Sequence, residues 1–263
     1  MNKPTQIILL TALLFLGSCR SDIPQKIDLS GEWRFAADPD DEGMAGMWHS
    51  QELPEVITLP GSMASNGKGN NVDIHTRWTG QVVDSSFFKN QEYERYRNPE
   101  NFRIPFWLQP VKHYTGAAWY QREVWIPDDW DGQHLELYLE RCHWESRLWV
   151  NGQEAGMRNS LGTPHIYDLT GVAKPGKNVL TLCVDNRIKE IDPGINSHSI
   201  SDHTQSNWNG ITGRIYIESR PLVHIRQIQV FPDVEQKKAK VRITVSNPSG
   251  EPAAVRLQLT STG

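Results

Sequence analysis

From residue 27 onward, apolar side chains recur at every second position in short runs. No long stretch carries the 3.6-residue period of an amphipathic helix. In QHLELYLER, residues 133–141, Leu135, Leu137 and Leu139 fall on one side, while Glu136, Tyr138 and Glu140 fall on the other. That alternation predicts a half-buried strand. SRLWVNGQEAG continues it through Leu148 and Val150, and Asn151-Gly152 supplies the positive φ pair of a type I′ hairpin turn. VLTLCVDN, residues 179–186, repeats it with Leu180, Leu182 and Val184. GAAWYQREVWIP, residues 116–127, puts Trp119 and Trp125 on one face and Tyr120, Val124 and Ile126 on the other, which predicts cover on both faces. DLSGEWRF (28–35) and VITLPGS (56–62) add two early strands. Many short strands with closely spaced turn signals predict an all-β fold, a jelly roll or β-sandwich.

Two regions break the pattern. Residues 62–116 are long, polar and aromatic, the texture of an insertion that is functional or carries small elements of its own. It contains His75, Arg77, Trp78 and Phe106-Trp107. These serve either as aromatic staples pinning a loop or as ligand contacts, and both readings stay open. Trp33, Trp119 and Trp149 lie within strand patterns and are assigned to packing. After Arg220-Pro221, VHIRQIQVFPD, KAKVRITVSNPSG and AAVRLQLTSTG read as three more strands. They are expected to begin a second, immunoglobulin-like β domain. Such a sandwich takes about seven strands and about 100 residues, so 222–263 is expected to be a truncated part of it.

Composition narrows the class. The chain has 263 residues, 38% hydrophobic and 22% charged, with a net charge of -4 and both signs interspersed. It reads as soluble and globular, without the basic stripe of a nucleic-acid binder. Lys3 precedes IILLTALLFLG, an apolar run too short to span a bilayer and shaped like a secretory signal. The run ends in Gly17-Ser18-Cys19, which resembles the lipobox of bacterial lipoproteins. That resemblance implies cleavage before Cys19, lipidation of its thiol and a tether through residues 20–26. Ordinary cleavage nearby, with Cys19 incidental, is the alternative. The expected location is the periplasm or the outer membrane of a bacterial cell. Cys142 and Cys183 remain, either as a disulfide or as two buried thiols. No metal-ligand spacing occurs, and no cofactor or metal is expected. The carboxylates of 38–42 and 128–131 read as solvated loops.

The densest chemistry lies in SDHTQSNWNGITGRIYIE, residues 201–218. Asp202, His203, Gln205, Asn207, Trp208 and Asn209 crowd together just before a strand. Their donors and acceptors suit sugar hydroxyls, and the indole suits an apolar sugar face. The bland alternative is a loop whose Asn and Asp satisfy local backbone, with Trp208 packed between sheets.

LSGEWRF, GAAWYQREVWIP, SRLWVNGQEAGMRNSLGTPHIYDLT, KPGKNVLTLCVDN and WNGITGRIYIE, in that order, resemble the N-terminal sugar-binding domain of glycoside hydrolase family 2. That family includes β-galactosidases, β-glucuronidases and β-mannosidases. The resemblance covers 27–221 and implies a galactose-binding-like jelly roll, then immunoglobulin-like sandwiches, then a (β/α)8 barrel with two catalytic glutamates. It places 194–212 at the loop that reaches the sugar pocket, with Asp202 the nearest match to the family's substrate-contacting acid. The family's Asn-Glu pair is absent, and Asn98-Pro99-Glu100 lies in the wrong place to stand for it.

The expected function is therefore the front portion of a retaining β-glycosidase. It would contact carbohydrate and a catalytic barrel, downstream or in another chain, and no catalytic residue would be its own. Alone it is expected to be inactive. A stand-alone carbohydrate-binding lipoprotein is the alternative, and a structural subunit of a separate catalytic chain is a third possibility.

Overall fold

A computed structural model describes residues 25–76, 78, 89–104, 108–189 and 207–260. Thirteen strands lie within them, and they pair antiparallel. They are β1 (Gln25–Asp28), β2 (Gly31–Asp38), β3 (Glu55–Leu59), β4 (Gly61–Ser62), β5 (Ala117–Ile126), β6 (His134–Cys142), β7 (Glu145–Val150), β8 (Gln153–Asn159), β9 (His165–Asp168), β10 (Gly176–Asp185), β11 (Gly210–Arg220), β12 (His224–Asp233) and β13 (Lys238–Ser246). One sheet has the order β1-β11-β6-β9, with β4 also on β11. The other runs β3-β2-β5-β10-β7-β8. The two face each other as a β-sandwich.

The alternating leucines make this sandwich. Leu135, Leu137 and Leu139 of β6 and Ile211, Ile215 and Ile217 of β11 bury against Tyr120, Leu148, Leu180, Leu182 and Val184 of the opposite sheet. At about 25 cal/mol per Å² of apolar area, this continuous cluster is the main source of stability. Asn151 and Gly152 both have positive φ at the β7–β8 hairpin, as the dipeptide predicts.

Four expectations need correction. The tether of 20–26 ends earlier than expected. Gln25 and Lys26 already belong to β1, where they pair with Ser219 and Glu218. The Trp130 indole also donates to Gln25 Oε1 at 2.5 Å. Stretch 28–35 divides into β1 and β2 because Asp28 accepts from the amide and hydroxyl of Ser30 and turns the chain. The third strand read beyond Ser246 is not formed. Residues 252–260 carry no ladder, and Val255, Leu257 and Leu259 are exposed. Only β12 and β13 pair there, in a two-stranded sheet of their own.

Residues 38–42 are not a plain solvated loop. Asp38 is buried and accepts from Glu42 N (2.7 Å), Gly43 N (2.9 Å) and Trp119 Nε1 (2.9 Å). It thereby clamps the short helix α1 (Glu42–Ala45) and the following turn Trp48–Ser50 onto the outer face of the six-stranded sheet. Trp119, Trp149, Ala36 and Leu53 bury there, with Trp48 and Cys183 packed alongside. The carboxylates at 128, 129 and 131 are solvent-exposed around buried Trp130, as expected.

Within the insertion, Trp78, Phe102 and Ile104 form a small cluster with Val72, Tyr93 and Tyr96, and Trp78 meets His113 edge-on at 4.9 Å. Asn98 caps the turn Pro99–Asn101 by accepting from Glu100 N. His75 is exposed, while Arg77, Phe106 and Trp107 lie outside the described residues.

Candidate functional site

The candidate sugar loop leaves the sandwich after β10 and returns before β11. Asp202, His203 and Gln205 lie in 190–206, outside the described residues, as does Cys19 in 1–24. The loop's two roots, 186–189 and 207–209, are described.

The roots are built from asparagine amides. Asn186 accepts from Gly116 N at 2.9 Å and donates to Tyr114 O at 2.8 Å and to Asn207 Oδ1 at 3.1 Å. Asn207 donates back to Asn186 O at 2.9 Å, so the outgoing and returning strands are tied side chain to backbone. Asn209 donates to Gly116 O and Val184 O, both at 2.9 Å, and accepts from Tyr120 Oη at 2.7 Å. All three amides are buried. An amide has two donors and one acceptor oxygen, so one side chain can bind two strands at once. The sequence reading offered Asn207 and Asn209 to a sugar. The structure gives their amides to the frame that carries the loop.

Trp208 sits differently. It is half-buried, and its ring stacks on His143 with centroids 4.5 Å apart and planes 17° apart. His143 Nδ1 donates to Trp208 O at 2.6 Å. His143 and Trp144 come from the β6–β7 connection, and Trp144 N bonds Asp185 O. Trp208 is therefore the described member of the candidate set that keeps surface at the rim.

Beside the outgoing root lies a charge cluster that sequence spacing could not reveal. Arg187 grips Asp185, at 2.6 to 3.1 Å, and Asp41, at 2.5 and 2.7 Å, across 146 residues of chain. Lys189 reaches Asp185 and Glu145 at 2.9 and 2.8 Å. Burial pushes the Asp185 carboxyl up, but its bonds to Arg187, the backbone and Lys189 outweigh that and hold it below 3.8. The hydrogen bonds from Arg187 lower Asp41 likewise. The guanidinium is held above its ordinary range by Asp185 first and Asp41 second.

The pH consequence has a definite sign. Carboxyls depressed on folding stabilise the native state above the unfolded value of 3.8 and lose that contribution as pH falls through the lower folded values. The stability gap between the parent and Arg187→Gln is therefore expected to stay constant above about pH 5 and to narrow below it. Urea unfolding at stepped pH measures this. A gap that stays constant into strong acid would contradict it.

Cys142 and Cys183 are free thiols on opposite faces of their sheets: Cys142 is in the sandwich core, and Cys183 is packed against the outer tryptophan cluster. Burial pushes both up to about 12. Thiolate, the reactive form, is thus scarce at neutral pH. Native-state labelling by iodoacetamide at pH 8 is expected to be slow at both residues and fast in denaturant. Rapid native labelling of Cys183 would show that its cover opens readily.

Comparison with known proteins bears on this frame. The family model described as "Glycosyl hydrolases family 2, sugar binding domain" matches residues 27–221. A β-glucuronidase of Paenibacillus borealis is 26% identical over 250 residues, 88% of this chain and 35% of that protein. A β-galactosidase of Yersinia enterocolitica is 22% identical over 224 residues, 84% of this chain and 18% of that protein. Among solved structures, the β-glucuronidase from Ruminococcus gnavus in complex with uronic deoxynojirimycin superposes with a TM-score of 0.58 at 18% identity. The match covers 84% of this chain and 34% of that one. That likeness concerns the fold. The chain spans about a third or less of the length of these relatives.

Proposed function

Because this chain belongs to glycoside hydrolase family 2, we propose that it supplies the sugar-binding β-sandwich of a larger retaining β-glycosidase. The family match over 27–221 carries the reading. In this reading the loop 190–206 walls the sugar pocket, with Asp202, His203 and Gln205 toward the sugar and Trp208 at the rim. The asparagine frame and the Arg187 cluster hold both of its roots. Chemistry falls to two glutamates of a (β/α)8 barrel. One attacks the anomeric carbon, and the other protonates the leaving oxygen and then activates water. The strands β12 and β13 begin the immunoglobulin-like domain between them. The relatives named above act, by their names, on β-glucuronides and β-galactosides, so a terminal β-linked hexose or its uronic acid is the substrate class. Export and lipidation at Cys19 belong to the same proposal, supported by the apolar leader that ends in Gly17-Ser18-Cys19.

The test takes the gene product with whatever follows codon 263 and assays nitrophenyl β-D-glucuronide and β-D-galactoside, beside the 263-residue chain alone. Hydrolysis by the longer product, lost when 190–206 is replaced by a short glycine-serine link, is the expected result. Hydrolysis by the 263-residue chain itself, or a loop replacement that leaves kcat/KM unchanged, would overturn the reading. If the frame stops after Gly263 and the chain retains glycans, it is a carbohydrate-binding protein without catalysis.

A further inference from the structure

The outer face of the six-stranded sheet is only half covered. The clamp at Asp38 folds the segment through Leu53 over one end, where Trp119 and Trp149 are buried. Past Gln121 the cover stops. Along β5 the outward row continues with Glu123 and Trp125, and the partners of these two on β10 are Val179 and Lys177. Over Gln121 and Glu123, and ending short of Trp125, lies a cleft of about 660 Å³, within the range of small-ligand sites. It is lined by Arg34, Gln121, Glu123 and Val179 of the sheet, by His49–Glu52, and by the hairpin tip at Asn151-Gly152, where Gly152 lies close to Ser50.

Trp125 stands two residues beyond Glu123 on the same face, about 7 Å along the strand. It is 68% exposed, and among the described residues it is the one tryptophan with most of its surface in solvent. An indole left in water costs free energy unless something covers it. The charged side chains that line the cleft already have partners. Arg34 pairs with Glu52, and Lys177 with Glu123 at 2.6 Å. Arg122 donates to the carbonyls of Leu29 and Ser30. A charged ligand would have to break these pairs. A neutral ligand rich in hydroxyls, with an apolar ring face, would not.

We propose that this half-open face is a second glycan-binding site, which takes a neutral oligosaccharide chain along the cleft and stacks one of its rings on Trp125. The site is distinct from the loop roots. Trp125 is eight residues along β5 from Ala117, the residue that pairs with Asp185, which at ~3.3 Å per residue is about 26 Å. It does not depend on the proposed hydrolysis. Its place in the molecule is to hold a glycan polymer against the surface.

Affinity electrophoresis of the 263-residue chain tests it, in gels cast with β-glucan, galactomannan or arabinogalactan, with polygalacturonate as the acidic comparison. Retardation is expected in at least one neutral gel. Trp125→Ala should raise the dissociation constant roughly tenfold or more, as loss of one aromatic anchor does, and Trp125→Phe should recover part of it. Because the side chain is exposed, the thermal midpoint of Trp125→Ala should match the parent, and this is measured alongside. No retardation in any neutral gel, retardation in polygalacturonate alone, or equal retardation of parent and Trp125→Ala would each overturn the proposal. The last result would mark Trp125 as a contact for another protein surface. None of these outcomes bears on hydrolysis by the longer product, so the two readings fail separately.

Discussion

Asn209→Ala is expected to lower stability by roughly 3–5 kcal/mol, at about 1–3 kcal/mol for each buried polar group left without a partner. Asn209 is 1% exposed and serves three groups: Gly116 O, Val184 O and the Tyr120 hydroxyl. Truncation strands all three in the interior, and the alanine methyl offers none of them a hydrogen bond. Tyr120 cannot escape by ionising, because burial holds its hydroxyl far above the ordinary range. Tyr120→Phe is the contrasting change. It removes one partner and leaves both donors of Asn209 engaged, so about 1 kcal/mol is expected. Urea unfolding at neutral pH distinguishes them. The midpoint for Asn209→Ala should fall several times further than for Tyr120→Phe, with the slope unchanged. Near-equal midpoints would mean that water fills the gap and that Asn209 is not the main tie between loop root and sheet. In the larger glycosidase proposed above, the same substitution should depress hydrolysis as well, through misplacement of the returning root.

Much of the sandwich was legible because a sheet with one face in a core must alternate. Leu135, Leu137 and Leu139, and again Leu180, Leu182 and Val184, are buried as their spacing predicts. The rule failed where cover comes from elsewhere in the chain. Trp119 and Trp125 share a face as the period demands, yet one is fully buried and the other is mostly in solvent. Nothing local separates them. The difference is made by the segment clamped through Asp38, 81 residues upstream of Trp119. The same limit applies to Arg187 and Asp41. Each looks like a surface charge in its own stretch, and only the fold brings them together.

The candidate loop was legible by composition, but composition does not distinguish a sugar's hydroxyl from a backbone carbonyl. Asn207 and Asn209 have the groups a sugar needs, and the frame uses them. One signal was available: both follow a long polar stretch and lie within three residues of Gly210, the first residue of β11. Residues at such an entrance must satisfy the peptide groups that the departing chain leaves unpaired. Asp202, His203 and Gln205 lie farther from the strand in sequence and outside the described residues. With Trp208 they are the members of the set on which the sugar proposal rests.

Gly210→Ala is the second change expected to do serious damage, and its cause is steric. Gly210 has φ +147, in a region an L side chain rarely adopts. A Cβ there would stand 2.5 Å from Gly61 O and 2.7 Å from Ser62 Cα. Both are backbone atoms of β4, held in register by the Gly210–Ser62 and Ile211–Gly61 pairing, so no rotamer relieves the overlap. Strained backbone costs about 1–3 kcal/mol and overpacking about 1–3 more. A loss of roughly 3–5 kcal/mol follows, together with displacement of β4 from β11. Gly213 provides the comparison within the same strand. Its φ is +75, and its Cβ would stand 2.8, 2.9 and 3.0 Å from Cδ, Cβ and Cγ of Glu140: the carboxylate can swing at the cost of its bond to Arg214, whereas Glu140 Cβ moves only with its backbone. Gly213→Ala should therefore lose less than Gly210→Ala, whose overlaps are closer and lie wholly with backbone. Unfolding midpoints for the two variants decide the matter, and amide exchange at Met63, whose N–H bonds Asn209 O, reports whether β4 has moved. If Gly210→Ala proved as stable as Gly213→Ala, β4 would be free to shift. The returning root of the candidate loop would then rest on the Asn209 amide and not on the fit of strand against strand.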